Sequence, residues 1–202
     1  MIILFFSTSL ALALVPGPDN IFVLTQSALH GRNAGLLVTL GLCTGLLIHT
    51  ALVSLGVAVI FQTSTLAFTL LKMVGASYML YLAWHAFSSS TAKMSEFGQT
   101  GINSGKLYFR GVIMNLTNPK VAIFFLAFLP QFVDPARGPI TIQMLILGGL
   151  FIIATLLIFG SIAWSASFLG EWLKSSTKAQ IIMNRIAGMI FLGLALRLII
   201  YP

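Results

Sequence analysis

Six apolar stretches, each long enough to cross a lipid bilayer as a helix, account for most of this chain. A helix needs about 20 predominantly apolar residues to span the hydrocarbon core. Only 7% of the 202 residues are charged, against roughly 25% in a soluble domain, so lipid must surround most of the surface. We therefore predict an all-α integral membrane protein with six transmembrane helices. The stretches lie at about 2–24, 36–60, 66–87, 111–133, 141–168 and 181–200.

The connections between these stretches are short, apart from one polar segment at the middle of the sequence. We assign this segment, 88–110, as a cytoplasmic linker loop inside a single membrane domain that covers 1–202. It separates a first half, 1–87, from a second half, 111–202, and each half carries three spans. Halves with an odd number of spans run through the bilayer in opposite senses, as in many secondary transporters. The prediction is therefore a three-plus-three inverted repeat, with no room for a soluble catalytic domain.

Basic residues are distributed unequally between the two sides that the spans define. Cytoplasmic loops of membrane proteins are enriched in Lys and Arg. The odd-numbered loops and their helix ends carry most of these residues, which places those loops in the cytoplasm. Both termini are then periplasmic in a bacterial inner membrane. The residues on the odd-loop side are Arg32, Lys93, Lys106, Arg110, Lys174, Lys178 and Arg185, and those on the opposite side are Lys72, Arg137 and Arg197.

The remaining composition argues against several classes of function. The formal charge of +7 does not indicate nucleic-acid binding, because the basic residues are scattered in loops rather than arranged in a stripe with aromatic residues. The single cysteine, Cys43, excludes an intramolecular disulfide or a CxxC redox pair. No phosphate-binding GxxxxGKS/T motif occurs, and no cluster of acids with histidine indicates a metal site. We predict no enzymatic activity, no catalytic residues, no metal and no cofactor.

The first stretch contains a sequence that interrupts a helix. Pro16-Gly17-Pro18-Asp19-Asn20 places two residues without amide donors around a flexible glycine, and the carbonyls that this frees need partners that lipid cannot supply. An ionised carboxylate within a span costs at least about 2.5–3.5 kcal/mol on insertion scales unless it is paired or hydrated. The backbone at this point must therefore face protein or a wet cavity.

The fourth stretch contains a counterpart, Asn115-Leu116-Thr117-Asn118-Pro119-Lys120. Here a helix break, two asparagines and a cation coincide. Breaks in corresponding spans of two halves indicate a transport site, because unwound backbone exposes amides and carbonyls to a small charged solute. Given the predicted orientation, both motifs fall on the cytoplasmic side of the bilayer midplane, where they can meet.

An amino acid needs binding partners of both charges. Its carboxylate would bind Lys120, asparagine side chains or free amides at a helix N-terminus, and its ammonium would bind Asp19 or exposed carbonyls. The alternative is that the two charges only neutralise each other and that the prolines only kink a helix. The predicted substrate-binding and coupling residues are Pro16, Gly17, Pro18, Asp19, Asn20, Asn115, Asn118, Pro119 and Lys120.

Two further features lie in the second stretch. His49 could relay a proton, because imidazole titrates near neutral pH, or it could be a buried histidine that a backbone carbonyl satisfies. Gly41 and Gly45 form a small-residue face, whose expected role is structural because it lets two helices approach closely.

At these motifs the chain resembles the lysine exporter (LysE) superfamily, specifically its homoserine and threonine efflux (RhtB-type) branch. The resemblance implies export of small amino acids of neutral or basic class from the cytoplasm, driven by proton antiport, through six spans in an inverted repeat. Family members often carry asparagine where this chain has Asp19. The matching stretches run in order over nearly the whole chain and are 16–20, 31–35 with Gly41, Gly45 and His49, 75–82, 109–111, Asn115, 118–120 and 129–132.

Other functions stay open on the sequence alone. The chain could carry a different small solute or a cation within the same superfamily, or it could be a non-transporting membrane assembly factor. An intramembrane enzyme has less support, because no side-chain pair at catalytic spacing occurs. The predicted partners are an amino acid, protons and the lipid bilayer, with no nucleic acid. Which amino acid is moved, in which direction, and whether the chain forms a homo-oligomer are not determined.

Overall fold

The computed structural model describes residues 1–88, 104–166 and 177–200, and these are helical nearly throughout, with no strand among them. Helices are expected of apolar segments in lipid, where each backbone amide and carbonyl must be bonded within its own segment. The elements are α1 (Ile2–Leu14), α2 (Pro18–His30), α3 (Arg32–Thr63), α4 (Thr65–Ser88), α5 (Ser104–Leu116), α6 (Pro119–Ile123), a π-helix (Phe124–Phe128), two 3-10 helices (Leu129–Phe132 and Pro135–Arg137), α7 (Ile140–Trp164) and α8 (Thr177–Ile200).

Six membrane crossings are present when each broken helix is counted as one. Within the described ranges, α3, α4, α7 and α8 are each long and apolar enough to cross a membrane unbroken. α1 meets α2 at 61°, and α5 meets the segment Pro119–Phe132 at 50°, and each bent pair passes the same test as a single span. The prediction of an all-α membrane protein with six spans, of which the first and fourth are broken, is confirmed.

Each break lies midway along its bent segment. α1 and α2 have 13 residues each, so about 20 Å of helix stands on either side of the first break. The second break is likewise preceded by the 13 residues of α5. Hydropathy alone ended the first span at residue 24 and began the fourth at 111, whereas the polar turns beyond these points are helical as well. The placement of both motifs on the cytoplasmic side of the bilayer midplane is based on these shorter spans, and their depth in the membrane stays a prediction.

The same extension moves one boundary of the predicted linker. Residues 104–110, assigned to the loop from sequence, are the first turns of α5. Lys106 and Arg110 made these turns too polar to count as a span, yet a helix needs only one apolar face to pack on its neighbours. The rest of the linker, 89–103, lies outside the described residues.

Contacts between the helices relate elements of the two halves. α3 packs along α5 and α7, α4 packs along α8, and α1 packs on α7. Exchanging the halves would exchange α1 with α5, α3 with α7 and α4 with α8. This exchange maps the contact of α1 with α7 onto that of α5 with α3. The contacts thus agree with two related halves, and the opposite sense of the halves in the bilayer stays a prediction.

Glycines allow the backbones of α3 and α5 to touch. A Cβ atom on Gly41 would collide with the carbonyl oxygen of Tyr108, and one on Gly111 would lie 2.5 Å from the carbonyl oxygen of Val38. A Cβ atom on Gly45 would lie 2.6 Å from the side-chain oxygen of Asn115. Only the smallest residue permits such an approach, so the packing role expected for the glycine face of the second span is confirmed. The contact also brings Asn115, next to the second break, against α3.

An aromatic layer fills the bundle on the side of the breaks toward the 3-10 helices. The ring of Phe5 in α1 lies with its centroid 6.1 Å from that of Phe124 and 5.0 Å from that of Phe132. Phe128 lies between these two, 5.0 Å from Phe124 and 5.2 Å from Phe132. The guanidinium of Arg197 in α8 lies 3.8 Å from the centroid of Phe132, a cation–π contact. This layer closes the bundle on the side predicted to be periplasmic.

Candidate functional site

Both breaks end where a proline opens a new helix. Pro18 is the first residue of α2 and follows the cap residue Gly17, and Pro119 is the first residue of α6 and follows the cap residue Asn118. Proline suits this position, because the amide hydrogen that it lacks would have no partner within the first helical turn. Its fixed φ also matches that of a helix. The next residue of each helix is charged, and the two charges have opposite signs.

The two breaks contact each other through Asp19 and Asn118. The side-chain amide of Asn118 donates to Oδ2 of Asp19 at 2.9 Å, although the two residues are 99 positions apart. Oδ1 of Asn118 accepts from the backbone amide of Lys120 at 3.0 Å and so caps α6. Asp19 is 3% exposed and Asn118 is 7% exposed. One asparagine thus caps the second break and holds the carboxylate of the first.

Lys120 reaches back to the first break from the other side. Its Nζ donates to the carbonyl oxygen of Val15 at 3.4 Å and lies 3.3 Å from the position that a Cβ atom on Gly17 would take. Asp19 and Lys120 form no direct ion pair with each other in the described part of the chain, whereas Asp134 and Arg137 do, at 3.0 Å. The direct salt bridge of the alternative interpretation is therefore not formed, and a neutral partner holds each charge across the breaks.

Three buried side-chain oxygens at the breaks have no hydrogen-bond partner. They are the Oδ1 atoms of Asp19, Asn20 and Asn115. The amide of Asn20 donates to the carbonyl oxygen of Ala13 at 2.7 Å, which satisfies a carbonyl near the end of α1. A buried acceptor without a partner costs about 1–3 kcal/mol. Several such acceptors at one place indicate a site that a hydrogen-bond donor completes.

A cavity of about 390 Å³ opens beside the two breaks. Its size lies in the usual range for small-molecule sites. One wall consists of the motif residues 16–18 and 118–120, and the opposite wall comes from α4 and α8. The α4 and α8 residues were not singled out from sequence, because aromatic and polar side chains near span ends are also common at membrane interfaces. They include Tyr78, Tyr81, His85, Asn184 and Phe191.

A second, much smaller cavity of about 20 Å³ lies behind Lys120, which lines both. This volume holds about one water-sized group. Its polar lining consists of Asp19, Asn115, Lys120 and Thr155, and the remaining lining is apolar. The two breaks therefore lie between a large open cavity and a small, mostly apolar cavity that contains a few polar groups.

His49 lies next to the second break but lines neither of these two cavities. Its Nε2 donates to the backbone carbonyl oxygen of Asn115 at 3.4 Å, and its ring centroid lies 5.7 Å from that of Phe125. This geometry corresponds to a histidine whose hydrogen bond a backbone carbonyl satisfies. His49 is therefore connected to the site through its contact with Asn115. Among the described residues, no group of three or more His, Cys, Asp or Glu side chains is placed to hold a metal ion.

Curated proteins match almost the whole chain in sequence. The chain is 34% identical over 186 residues to the homoserine/homoserine lactone efflux protein of Salmonella typhimurium, covering 92% of this chain and 89% of that protein. It is 30% identical over 188 residues to the leucine efflux protein of Salmonella choleraesuis, covering 93% and 89%. An uncharacterized membrane protein of Bacillus subtilis is 29% identical over 195 residues, covering 92% of each. No solved structure gives a significant match.

The family model described as LysE type translocator matches residues 10–202, a range that includes both breaks and both cavities. The resemblance inferred from the Pro-Gly-Pro and Asn-Pro-Lys motifs is thereby confirmed. This chain is a multi-pass membrane protein that belongs to the LysE type translocator family.

Proposed function

We propose that this chain is a secondary transporter that exports small amino acids from the cytoplasm across a bacterial inner membrane, in exchange for protons. The observation that carries the proposal is the contact between the two helix breaks, where Asn118 bonds Asp19 beside a cavity of about 390 Å³. Membership of a translocator family supports transport rather than catalysis. Relatives named for efflux of homoserine and of leucine support the amino-acid class.

The charges at the breaks match those of a free amino acid. Lys120 lines the large cavity and offers a cation to the solute's carboxylate, while its present partner is only the carbonyl of Val15 at 3.4 Å. Asp19 offers a carboxylate to the solute's ammonium, and one of its oxygens has no partner. Neutral partners are easier to exchange for a charged solute than a tight buried salt bridge would be.

The mechanism we propose is alternating access between the halves 1–87 and 111–202. The large cavity is the cup that faces the cytoplasm, and the aromatic layer with Arg197 closes the periplasmic side. Both termini are periplasmic in this orientation, which the excess of Lys and Arg on the odd loops supports. Export then requires the layer to open while the cup closes, so each state exposes the breaks to one side only.

Proton coupling in this mechanism centres on Asp19. A proton that enters from the periplasm would neutralise the carboxylate and so weaken its hold on the solute's ammonium. The solute leaves, and return of the proton to the cytoplasm restores the binding state. His49 is the second candidate, because it adjoins the site through the carbonyl of Asn115.

Purified transporter in proteoliposomes tests the proposed function. We expect the protein to move labelled neutral amino acids when a proton gradient is imposed, and unlabelled amino acids to compete with them. A carrier of cations would instead respond to a panel of metal ions and ignore the amino acids. An assembly factor would produce no flux of either kind, and such a result would exclude the proposal.

Replacing Asp19 with asparagine should remove the dependence of export on external pH. Wild-type export should rise as the external medium is acidified, because protonation of Asp19 then releases the solute, whereas an amide cannot take up a proton in this range. The measurement is the export rate from loaded cells over several external pH values, with each variant normalised to its own maximum. A pH profile identical to that of the wild type would exclude Asp19 as the coupling group, and His49→Gln would then be measured in the same way.

A further inference from the structure

One buried threonine hydroxyl differs from the others. Thr39 and Thr50 are buried in α3, and each hydroxyl donates to the carbonyl oxygen four residues earlier, at 2.9 and 2.7 Å. Thr155 in α7 is equally buried, at 3% exposure, but within the described part of the chain its hydroxyl forms no such bond. Instead it lines the small cavity of about 20 Å³ behind Lys120. The hydroxyl is therefore available to a group inside that cavity.

Two more residues with unbonded acceptor oxygens, Asp19 and Asn115, line the same cavity. Oδ1 of Asp19 and Oδ1 of Asn115 are buried and have no hydrogen-bond partner. The contact of Asn118 with Oδ2 of Asp19 fixes the carboxylate, so that Oδ1 is the oxygen left unbonded. The rest of the lining is apolar and includes Leu12, Leu46, Phe151 and Phe159. Three residues that carry acceptor oxygens thus line a space that holds one water-sized group in otherwise apolar surroundings.

We propose that this small cavity is the subsite for the α-ammonium group of the transported amino acid, with Asp19, Asn115 and Thr155 as its acceptors. The proposal rests on the proposed function and specifies how the same site recognises its substrate. An ammonium group is about as large as a water molecule and donates three hydrogen bonds, which equals the number of acceptors. The apolar walls exclude competing water and make each of these hydrogen bonds electrostatically stronger.

Lys120 extends the recognition to the carboxylate. It lines the small cavity as well as the large one, so an amine without a carboxylate would meet an uncompensated like charge there. In an α-amino acid the carboxylate is one carbon away from the ammonium, and it can therefore lie beside Nζ of Lys120. The side chain of the solute then occupies the large cavity. The subsite accordingly selects for the α-amino-acid group and leaves the choice of side chain to the walls of α4 and α8.

Thr155→Val tests the subsite, because valine keeps the shape of threonine and removes the hydroxyl. The probes are leucine and 4-methylpentanoate, or homoserine and 4-hydroxybutyrate, in which the second compound lacks only the amino group. We expect Thr155→Val to weaken competition by the amino acid about ten- to a hundredfold, the usual effect of one hydrogen bond to a charged group. Competition by the compound without the amino group should be unchanged. The preference for the amino group therefore falls by the same factor.

Two further variants act as controls for folding and for the hydroxyl itself. Thr39→Val removes a hydroxyl that is equally buried but bonds its own helix, so the preference should equal that of the wild type. Thr155→Ser keeps the hydroxyl and should restore most of the preference even if valine reduces the amount of folded protein.

The outcomes separate the subsite from the proposed function. If Thr155→Val weakens both compounds of a pair equally, or neither, the cavity holds only water and the subsite is wrong, while amino-acid transport by the wild type still supports the function. If Thr155→Ser behaves like Thr155→Val, the hydroxyl is not the recognising group, and the subsite is again overturned. If the wild type moves no amino acid at all, the proposed function and the subsite fail together.

Discussion

Lys120→Met is expected to lower amino-acid transport at least about 30-fold while the protein still inserts into the membrane. Methionine keeps much of the unbranched length of lysine but removes the cation that lines both cavities. Removing one partner of a buried charge pair costs about 2–5 kcal/mol, and each 1.4 kcal/mol corresponds to a factor of ten. The measurement is the initial rate of labelled amino-acid uptake into proteoliposomes, normalised to the amount of inserted protein.

Lys106→Met is the matched control for this loss. Lys106 is exposed in the first turns of α5 and lines neither of the two cavities, so the same chemical change there should leave the rate within about twofold of the wild type. Wild-type transport by Lys120→Met would mean that the solute's carboxylate is bound elsewhere. The proposed site would then have to be abandoned, although the family membership would stand.

Gly41→Ala is expected to destabilise the folded protein by about 1–3 kcal/mol, the usual cost of adding a methyl group where no space exists. The new Cβ atom would collide with the backbone carbonyl oxygen of Tyr108, which cannot move away as the end of a flexible side chain can. α3 and α5 would have to separate, and Asn115 would be displaced with α5. The measurement is the temperature at which the detergent-solubilised protein loses its monodisperse elution.

Gly149→Ala is the control, because a Cβ atom on Gly149 in α7 meets nothing within 4 Å. Alanine also has the higher helix propensity, so this variant should be as stable as the wild type or slightly more stable. Equal stability of Gly41→Ala and Gly149→Ala would show that the two helices are not in backbone contact at this crossing.

The number of spans and the positions of both breaks follow from the sequence, because hydropathy and proline act locally. Apolar length decides whether a segment crosses lipid, and Pro18 and Pro119 each interrupt a helix without help from distant residues. The ends of the broken spans were less accessible to prediction. Hydropathy averages over a whole turn and therefore assigns the half-polar turns of α2 and α5 to loops, although one face of each packs inside the bundle.

Only those site residues could be predicted from sequence that are unusual in a membrane-spanning segment. Asp19 and Lys120 are charges within apolar stretches, and this alone marks them. The bond from Asn118 to Asp19 is a tertiary contact that neither motif contains by itself. Thr155 gives no signal at all, since a single threonine in an apolar helix usually bonds its own backbone. Its unusual position becomes apparent only when α7 is packed against α1 and α2, beside the small cavity.

The central position of the breaks has a mechanical consequence. Each half-helix is about 20 Å long, whereas the hydrocarbon core is about 30 Å thick, so neither half can cross alone. Each broken segment therefore consists of two short helices that are joined where the intrahelical hydrogen bonds are interrupted. The two half-helices of each pair can therefore change their angle at the break. The break is thus the point about which each half of the segment can tilt as one side of the bundle closes and the other opens.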